Sequence, residues 1–387
     1  MKRKSLMLIC GEPSGDQLGA QLMAGIRELA GDSVAITGVG GPAMAREGLK
    51  SLFPLDTMAV MGLREVLPAI PAILRRVQDA TAYALETNPD AVVLIDSPDF
   101  THRIARALKS ADPKIKTVNY VAPQVWATRA YRAKAMAKYF DLVLALFPFE
   151  VPFFDKYGLK AEFVGHPVIE RRKRMTGGDA LRARLGIAQD APLLAMLPGS
   201  RTSEIRLMFP TFAKTVAILA KKIPGLVTIL PTVPHVAGKV RAAAENWPTP
   251  LFIIENEADK FAAFDAADVA FAASGTVTAE IALSRTPMVV FYILGGLTYG
   301  LGIWLYNSRF FTLINILLDR AVVPEHLQKD ARPETMAAEL EALIRDPAAA
   351  KAQTDAMDEF AKRLGEGEEP PSRRAARVLL EFIGWKG

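Results

Sequence analysis

Ser5-Leu6-Met7-Leu8-Ile9-Cys10-Gly11-Glu12-Pro13-Ser14-Gly15-Asp16 is the stretch that decides the fold. Leu6 to Cys10 is continuously apolar and stops at a turn of Gly, Pro and short polar residues. Beyond the turn Leu18, Leu22, Ile26 and Leu29 recur at spacings of four, four and three. The pattern predicts a buried strand, a tight turn and an amphipathic helix. Such a turn lies at the carboxyl end of the strand and the amino end of the helix. Backbone N–H groups and the positive end of the helix dipole face a crevice there. Polar residues in that place either cap the helix or meet a ligand in a doubly wound protein.

The same rhythm runs along the chain. Strands are expected near 5–10, 34–39, 91–96, 115–121, 141–146 and 161–164, then near 192–197, 226–230, 251–254, 268–273 and 287–293. Continuous apolar runs alternating with helical patterns predict parallel sheets covered on both faces. Gly165-His166-Pro167, Arg171-Arg172-Lys173-Arg174 and Thr176-Gly177-Gly178 mark a linker between the halves. The expected fold is α/β, with two Rossmann-like domains facing one another across a cleft. Their bounds are 1–168 and 169–350. A charged helical segment, 351–387, packs back on the first domain or on a partner subunit, leaving a homo-oligomer open.

Composition narrows the function. The 387 residues are half hydrophobic, and the net charge of +5 suits an anionic partner such as phosphates or an acidic membrane surface. Nucleic acid is not expected, because no aromatic-basic array, zinc spacing or recognition-helix signature occurs. The one cysteine, Cys10, excludes an intrachain disulfide and reads as a core residue in a reducing compartment. Met1-Lys2-Arg3-Lys4 precedes an apolar run too short for a signal peptide. No charge falls between Arg285 and Arg309. There a buried strand over Met288–Ile293 followed by a membrane-facing or groove-lining helix is favoured over a spanning helix, since Gly295-Gly296 breaks the run.

Candidate chemistry clusters at the turns. After Leu193–Leu197 come Pro198-Gly199-Ser200-Arg201, where Ser200, helix-start N–H groups and Arg201 suit phosphate oxygens. After Asp268–Ala273 come Ser274-Gly275-Thr276 and, one helical turn on, Glu280, placed to accept from ribose hydroxyls. Together the two turns suggest a nucleoside diphosphate. With no Asp-x-Asp and no ligand spacing among His102, His166, His235 and His326, a site without metal or other cofactor is expected. In the first half, Asp96 ends the strand Ala91–Ile95 on the same crevice as Ser14 and Asp16. It can take a proton from an attacking hydroxyl, or cap the next helix. Trp126, Arg129 and Arg132 suit an amphiphilic anion, although Trp126 can equally be packed in the core. Val60-Met61-Gly62-Leu63 to Ile73-Leu74, followed by Arg75-Arg76, suits an amphiphilic substrate or a membrane surface, and equally an ordinary buried helix.

These motifs, in order, resemble the lipid-A-disaccharide synthase family. They are Gly-Glu-Pro-Ser-Gly-Asp at 11–16, Ala-Val-Met-Gly at 59–62, Ile-Asp-Ser-Pro-Asp-Phe at 95–100, Ala-Pro-Gln-Val-Trp-Ala at 122–127, Phe-Pro-Phe-Glu at 147–150 and Val-Gly-His-Pro at 164–167. Leu-Pro-Gly-Ser-Arg at 197–201, Ala-Ser-Gly-Thr at 273–276 with Glu280, and Val-Val-Pro-Glu at 322–325 complete the series. The resemblance implies an inverting glycosyltransferase of GT-B fold. It implies UDP-2,3-diacylglucosamine and 2,3-diacylglucosamine 1-phosphate as substrates at the cytoplasmic face of the inner membrane. By position it implies Asp96 as general base, with Ser14, Glu12 and Asp16 shaping the acceptor side. It places Met61, Trp126 and Arg129 on the acceptor or membrane side. Arg201, Ser274, Gly275, Thr276 and Glu280 would hold UDP, with Asn315 near the nucleotide. The chain departs from the family at Thr101 (usually Asn), at Thr128 (usually Trp), at Ile293–Gly296 (usually a basic residue and a proline) and around Asn315. A UDP-N-acetylglucosamine epimerase of the same fold is the rival reading.

Overall fold

The computed structural model describes residues 3–55, 63–123, 131–295 and 309–386, with 63–70 as backbone alone. The chain divides into two compact units, Met1–Pro167 with Gly367–Gly387, and Val168–Glu366.

In the first unit six strands form one parallel sheet. They are β1 (Lys4–Cys10), β2 (Val34–Val39), β3 (Ala91–Ile95), β4 (Thr117–Tyr120), β5 (Leu142–Ala145) and β6 (Lys160–Phe163). Their spatial order is β2-β1-β3-β4-β5-β6. Leu6 to Cys10 and Ala91 to Ile95 are wholly buried. Helices cover both faces of these central strands, so their apolar runs are continuous rather than alternating. Each large aliphatic side chain so buried contributes about 1.5–3 kcal/mol.

The second unit repeats the plan with β7 (Leu193–Leu197), β8 (Val227–Pro231), β9 (Leu251–Ile254), β10 (Val269–Ala273), β11 (Met288–Tyr292) and β12 (Glu325–Leu327). The order here is β12-β11-β10-β7-β8-β9. Sequence periodicity anticipates every strand but β12, a three-residue, half-buried edge strand too short and polar to register. The expected buried strand at 288–293 is β11. Its first residue is held by Gln353, whose Oε1 accepts from Met288 N–H at 2.8 Å and whose Nε2 donates to Met288 O at 3.2 Å.

Gln353 sits on the helix Pro347–Arg363, which belongs to the second unit. The stretch 351–387 is therefore shared between the units, dividing after Glu366. The last helix, Pro371–Phe382, buries Ala375, Ala376, Val378, Leu379 and Leu380 and packs on the helix Pro13–Ala30. Arg373 pairs with Glu28 at 3.2 Å, and Lys116 Nζ donates to Phe382 O at 3.0 Å. Among the described residues no helix is long and apolar enough to cross a membrane.

Strand order places the functional turns. In the first sheet the chain leaves β1 toward β2 on one side, and β3 begins the other side. In the second it leaves β7 toward β8, and β10 begins the other side. Each sheet thus has one switch point, β1/β3 and β7/β10. Helices diverge there, and a crevice opens beyond the carboxyl ends of the strands.

Candidate functional site

At the first switch point the turn after β1 meets the turn after β3. Ser14 Oγ donates to Asp96 Oδ2 at 3.1 Å. Gly11 permits the approach, since a Cβ there would lie 2.9 Å from Ser97 Cβ. Asp96 and Ser97 both adopt left-handed backbone, φ 53° and 45°. That conformation costs non-glycine residues about 1–3 kcal/mol each and gathers at functional sites. Neighbours hold it in place. Asp96 N–H donates to Tyr120 O at 3.0 Å, and the Thr101 hydroxyl donates to Asp96 O at 2.6 Å and Ser97 O at 3.0 Å. The Thr101 hydroxyl is thus a brace for the strained turn.

Asp16 faces elsewhere. It is buried, its Oδ1 accepts from the N–H groups of Gly41 and Met44 at 2.8 and 3.0 Å, and its Oδ2 accepts from Ala43 N–H at 2.8 Å. Three backbone donors commit this carboxylate to the start of the helix Pro42–Arg46. Glu12, half-buried, is the N-cap of the first helix with no side-chain cap bond. Burial first, then the anions Asp16 and Asp96, push the Cys10 thiol up to about 12, so it stays a neutral core group.

At the second switch point the two turns differ. In the turn after β7, Ser200 N–H and Arg201 N–H both donate to Glu204 Oε2, at 2.9 and 3.1 Å. Glu204 Oε1 accepts from Arg201 Nη1 at 3.2 Å and from the Tyr292 hydroxyl at 2.9 Å. Two backbone donors just before the helix Thr202–Lys222 are thus taken by the chain's own carboxylate, and the Arg201 side chain remains 59% exposed. Gly199, φ 103°, makes room, since a Cβ there would lie 2.3 Å from Glu204 Oε2. Burial, and the hydrogen bond to anionic Glu204, push the Tyr292 phenol up to about 12, so it serves as a donor.

The turn after β10 is open. Gly275 is the N-cap of the helix Thr276–Leu283, with no side chain capping it and no acidic residue in its first turn. The first N–H groups of such a helix lack intrahelical partners. Ser274 Oγ donates to Phe311 O at 3.3 Å. Glu280 is nearly buried between two cations, with Arg171 Nη1 2.5 Å from Oε1 and Lys260 Nζ 2.9 Å from Oε2. A cavity of about 320 Å³ joins these parts, lined by Ser200, Arg201, Thr232, Lys260, Ser274 and Glu280 among others. Helix dipole and cations together favour an anion there.

Asn315 is not in that cavity. It is wholly buried, its Nδ2 donates to Val323 O at 2.8 Å and Glu325 Oε1 at 2.7 Å, and its Oδ1 accepts from the N–H groups of Val322 and Val323. All four hydrogen bonds of its amide are spent on the fold. Glu325 also accepts from the N–H groups of Phe311 and Thr312 at 2.9 Å, which locks the 311–325 segment. Met61, Trp126, Thr128 and Arg129 lie outside the described residues. Among the described residues no three His, Cys, Asp or Glu side chains gather as a metal site. Sequence reasoning assigned no role to Glu204, Tyr292, Lys260 or Arg171. Glu204 stands at the third position of the helix Thr202–Lys222, where an acidic side chain commonly reaches back to the N-cap backbone N–H, a signal that could have found the first of them.

The "Lipid-A-disaccharide synthetase" family model matches residues 6–379. The chain is 46% identical over 383 residues to the lipid-A-disaccharide synthase of Rhodospirillum centenum, covering 99% of this chain and 96% of that protein. It is 44% identical to the one of Paramagnetospirillum magneticum, covering 98% and 97%. A solved UDP-GlcNAc 2-epimerase from Neisseria meningitidis, bound to UDP-GlcNAc, superposes with a TM-score of 0.64 at 13% identity, covering 99% of this chain and all of that one. That likeness speaks for a shared α/β architecture of GT-B type. Two parallel sheets with polar turns at their switch points, in a chain matched along nearly its whole length, lead to one conclusion: the chain belongs to the lipid-A-disaccharide synthase family.

Proposed function

We propose that this chain joins UDP-2,3-diacylglucosamine to 2,3-diacylglucosamine 1-phosphate, forming a β-1,6 disaccharide 1-phosphate and releasing UDP. Asp96 carries the reading. It stands at a switch point, in a strained turn, with the Ser14 hydroxyl on one carboxylate oxygen. Its other oxygen accepts the proton of the acceptor 6-hydroxyl as that oxygen attacks the anomeric carbon. The carbon–UDP bond breaks as the new bond forms, which inverts the anomeric centre. UDP occupies the cavity of the second unit. Its diphosphate meets the start of the helix Thr276–Leu283, with Ser274 and Gly275 beside it, together with Arg201 and the Ser200 hydroxyl. Glu280, held by Arg171 and Lys260, retains acceptor capacity for a ribose hydroxyl. Charge on the leaving diphosphate is met by cations and backbone dipoles.

Acylated substrates place the reaction at a lipid surface, the inner face of the inner membrane, with the protein bound peripherally. The exposed Leu74 and Arg75 on the helix Leu63–Thr87 support such a surface. An assay with both lipid substrates tests the proposal. Disaccharide and UDP from wild type, and a loss of ~10²-fold or more in Asp96→Ala, are expected. UDP with a free epimerised sugar and no disaccharide would instead assign the chain to the epimerase reading.

A further inference from the structure

The second switch point holds a carboxylate that a plain strand–turn–helix phosphate cradle does not need. We propose that Glu204, in the wall of the cavity with Tyr292, is a positioning residue for nucleotide-sugar binding, acting through Arg201 and Tyr292. This rests on the nucleotide reading of the cavity given above.

Glu204 is placed as a hub. Its side chain is 11% exposed and collects four donors: two backbone N–H groups, the Arg201 guanidinium and the Tyr292 hydroxyl. Tyr292 ends β11 and the Glu204 turn follows β7, the two strands that flank β10. Glu204 therefore bridges over the end of β10, beside the open turn at 274–276. Gly199 leaves it a seat that any side chain at that position would fill.

The seat has a chemical consequence. The carboxylate takes the N–H groups of Ser200 and Arg201, so those two residues contribute to anion binding through their side chains. An arginine as exposed as Arg201 loses rotamer freedom when it clamps a phosphate. Holding one Nη beforehand removes part of that cost and leaves the rest of the five-donor fork for an oxyanion. Backbone donors come instead from the start of the helix Thr276–Leu283. One turn supplies a preset cation and the other supplies dipoles.

The test titrates UDP, to millimolar concentration, onto the purified full chain as wild type, E204Q, R201A and R201A/E204Q, with thermal unfolding of each. In E204Q the amide oxygen still accepts from Ser200 and Arg201 N–H, so melting stays within a few degrees of wild type. Its UDP affinity falls about tenfold, as for loss of a charge-assisted bond. Adding E204Q to R201A changes affinity by less than about twofold, because the two residues act as one unit. Two results overturn the role. E204Q binding UDP as tightly as wild type, or more tightly, would make the carboxylate a bystander or a competitor of the phosphate. An equal loss in both backgrounds would make Glu204 a general support of the fold. Wild type that does not bind UDP removes the nucleotide reading itself, and this role with it.

Discussion

At the first switch point a carboxylate, Asp96, stands with a hydroxyl, Ser14, for a neighbour. At the second, helix-start N–H groups and the cations Arg171, Arg201 and Lys260 surround two carboxylates. Both sites use the same strand–turn–helix geometry at the same topological position. They differ in where each acidic side chain is spent. Asp16 and Glu204 each accept from two or more backbone N–H groups near a helix start, whereas the hydrogen bond to the Asp96 carboxylate comes from the Ser14 hydroxyl. Which groups of a turn remain available is thus set by which of them the fold has already satisfied.

The largest expected effect falls on the first site. Asp96→Asn keeps an acceptor for the Ser14 hydroxyl but loses the base. Turnover should fall by ~10²-fold or more while UDP affinity holds within about twofold. A loss in UDP affinity equal to the loss in turnover would break the division of labour between the two sites.

The units should also answer pH in opposite senses. Burial first, then the cations Arg106 and Arg132, push the His102 imidazole from 6.5 down to about 4, so it folds neutral. Between those values the unfolded chain binds more protons. Stability is complete above about 6.5 and falls by roughly 3 kcal/mol as pH drops to about 4. In the second unit the hydrogen bond that His326 donates to Glu339 holds its imidazole above 6.5. That contribution is complete below 6.5 and fades as pH rises through the folded value. Urea unfolding of His102→Gln should flatten the acid limb, and His326→Gln the neutral one. An unchanged acid limb in His102→Gln would remove the contrast.

Smaller effects sharpen the assignment of spent groups. Asp16→Ala leaves three buried N–H groups without their acceptor and should cost about 3 kcal/mol in urea unfolding. Asn315→Ala should cost about 2 kcal/mol, with UDP affinity unchanged in a titration. A large loss of UDP affinity in Asn315→Ala would return that residue to the nucleotide site.

Much of the fold was legible from residues alone. Continuous runs such as Leu6–Cys10 and Leu193–Leu197 mark strands covered on both faces, because hydrophobic burial there leaves no room for alternation. The turns at 11–16, 96–99, 198–201 and 274–276 were legible as well, since Gly, Pro and short polar residues end strands and open helices for local reasons. The edge strand β12 and the partners of Asp16, Asn315 and Glu204 were not. Each depends on which distant backbone or side chain is brought within hydrogen-bond reach. Asp16 meets residues 41–44 only because β2 pairs with β1, and Glu204 meets Tyr292 only because β7 and β11 flank β10.

The sequence by itself determined the α/β class, the eleven longer strands, the positions of the polar turns at the switch points and the ordered motifs of the family. These are local patterns of burial and turn chemistry, readable along the chain. Only the tertiary structure decided which acids close on backbone donors of the protein and which do not. A carboxylate's role depends on the donors around it in space, and strand order brings those donors from far along the chain.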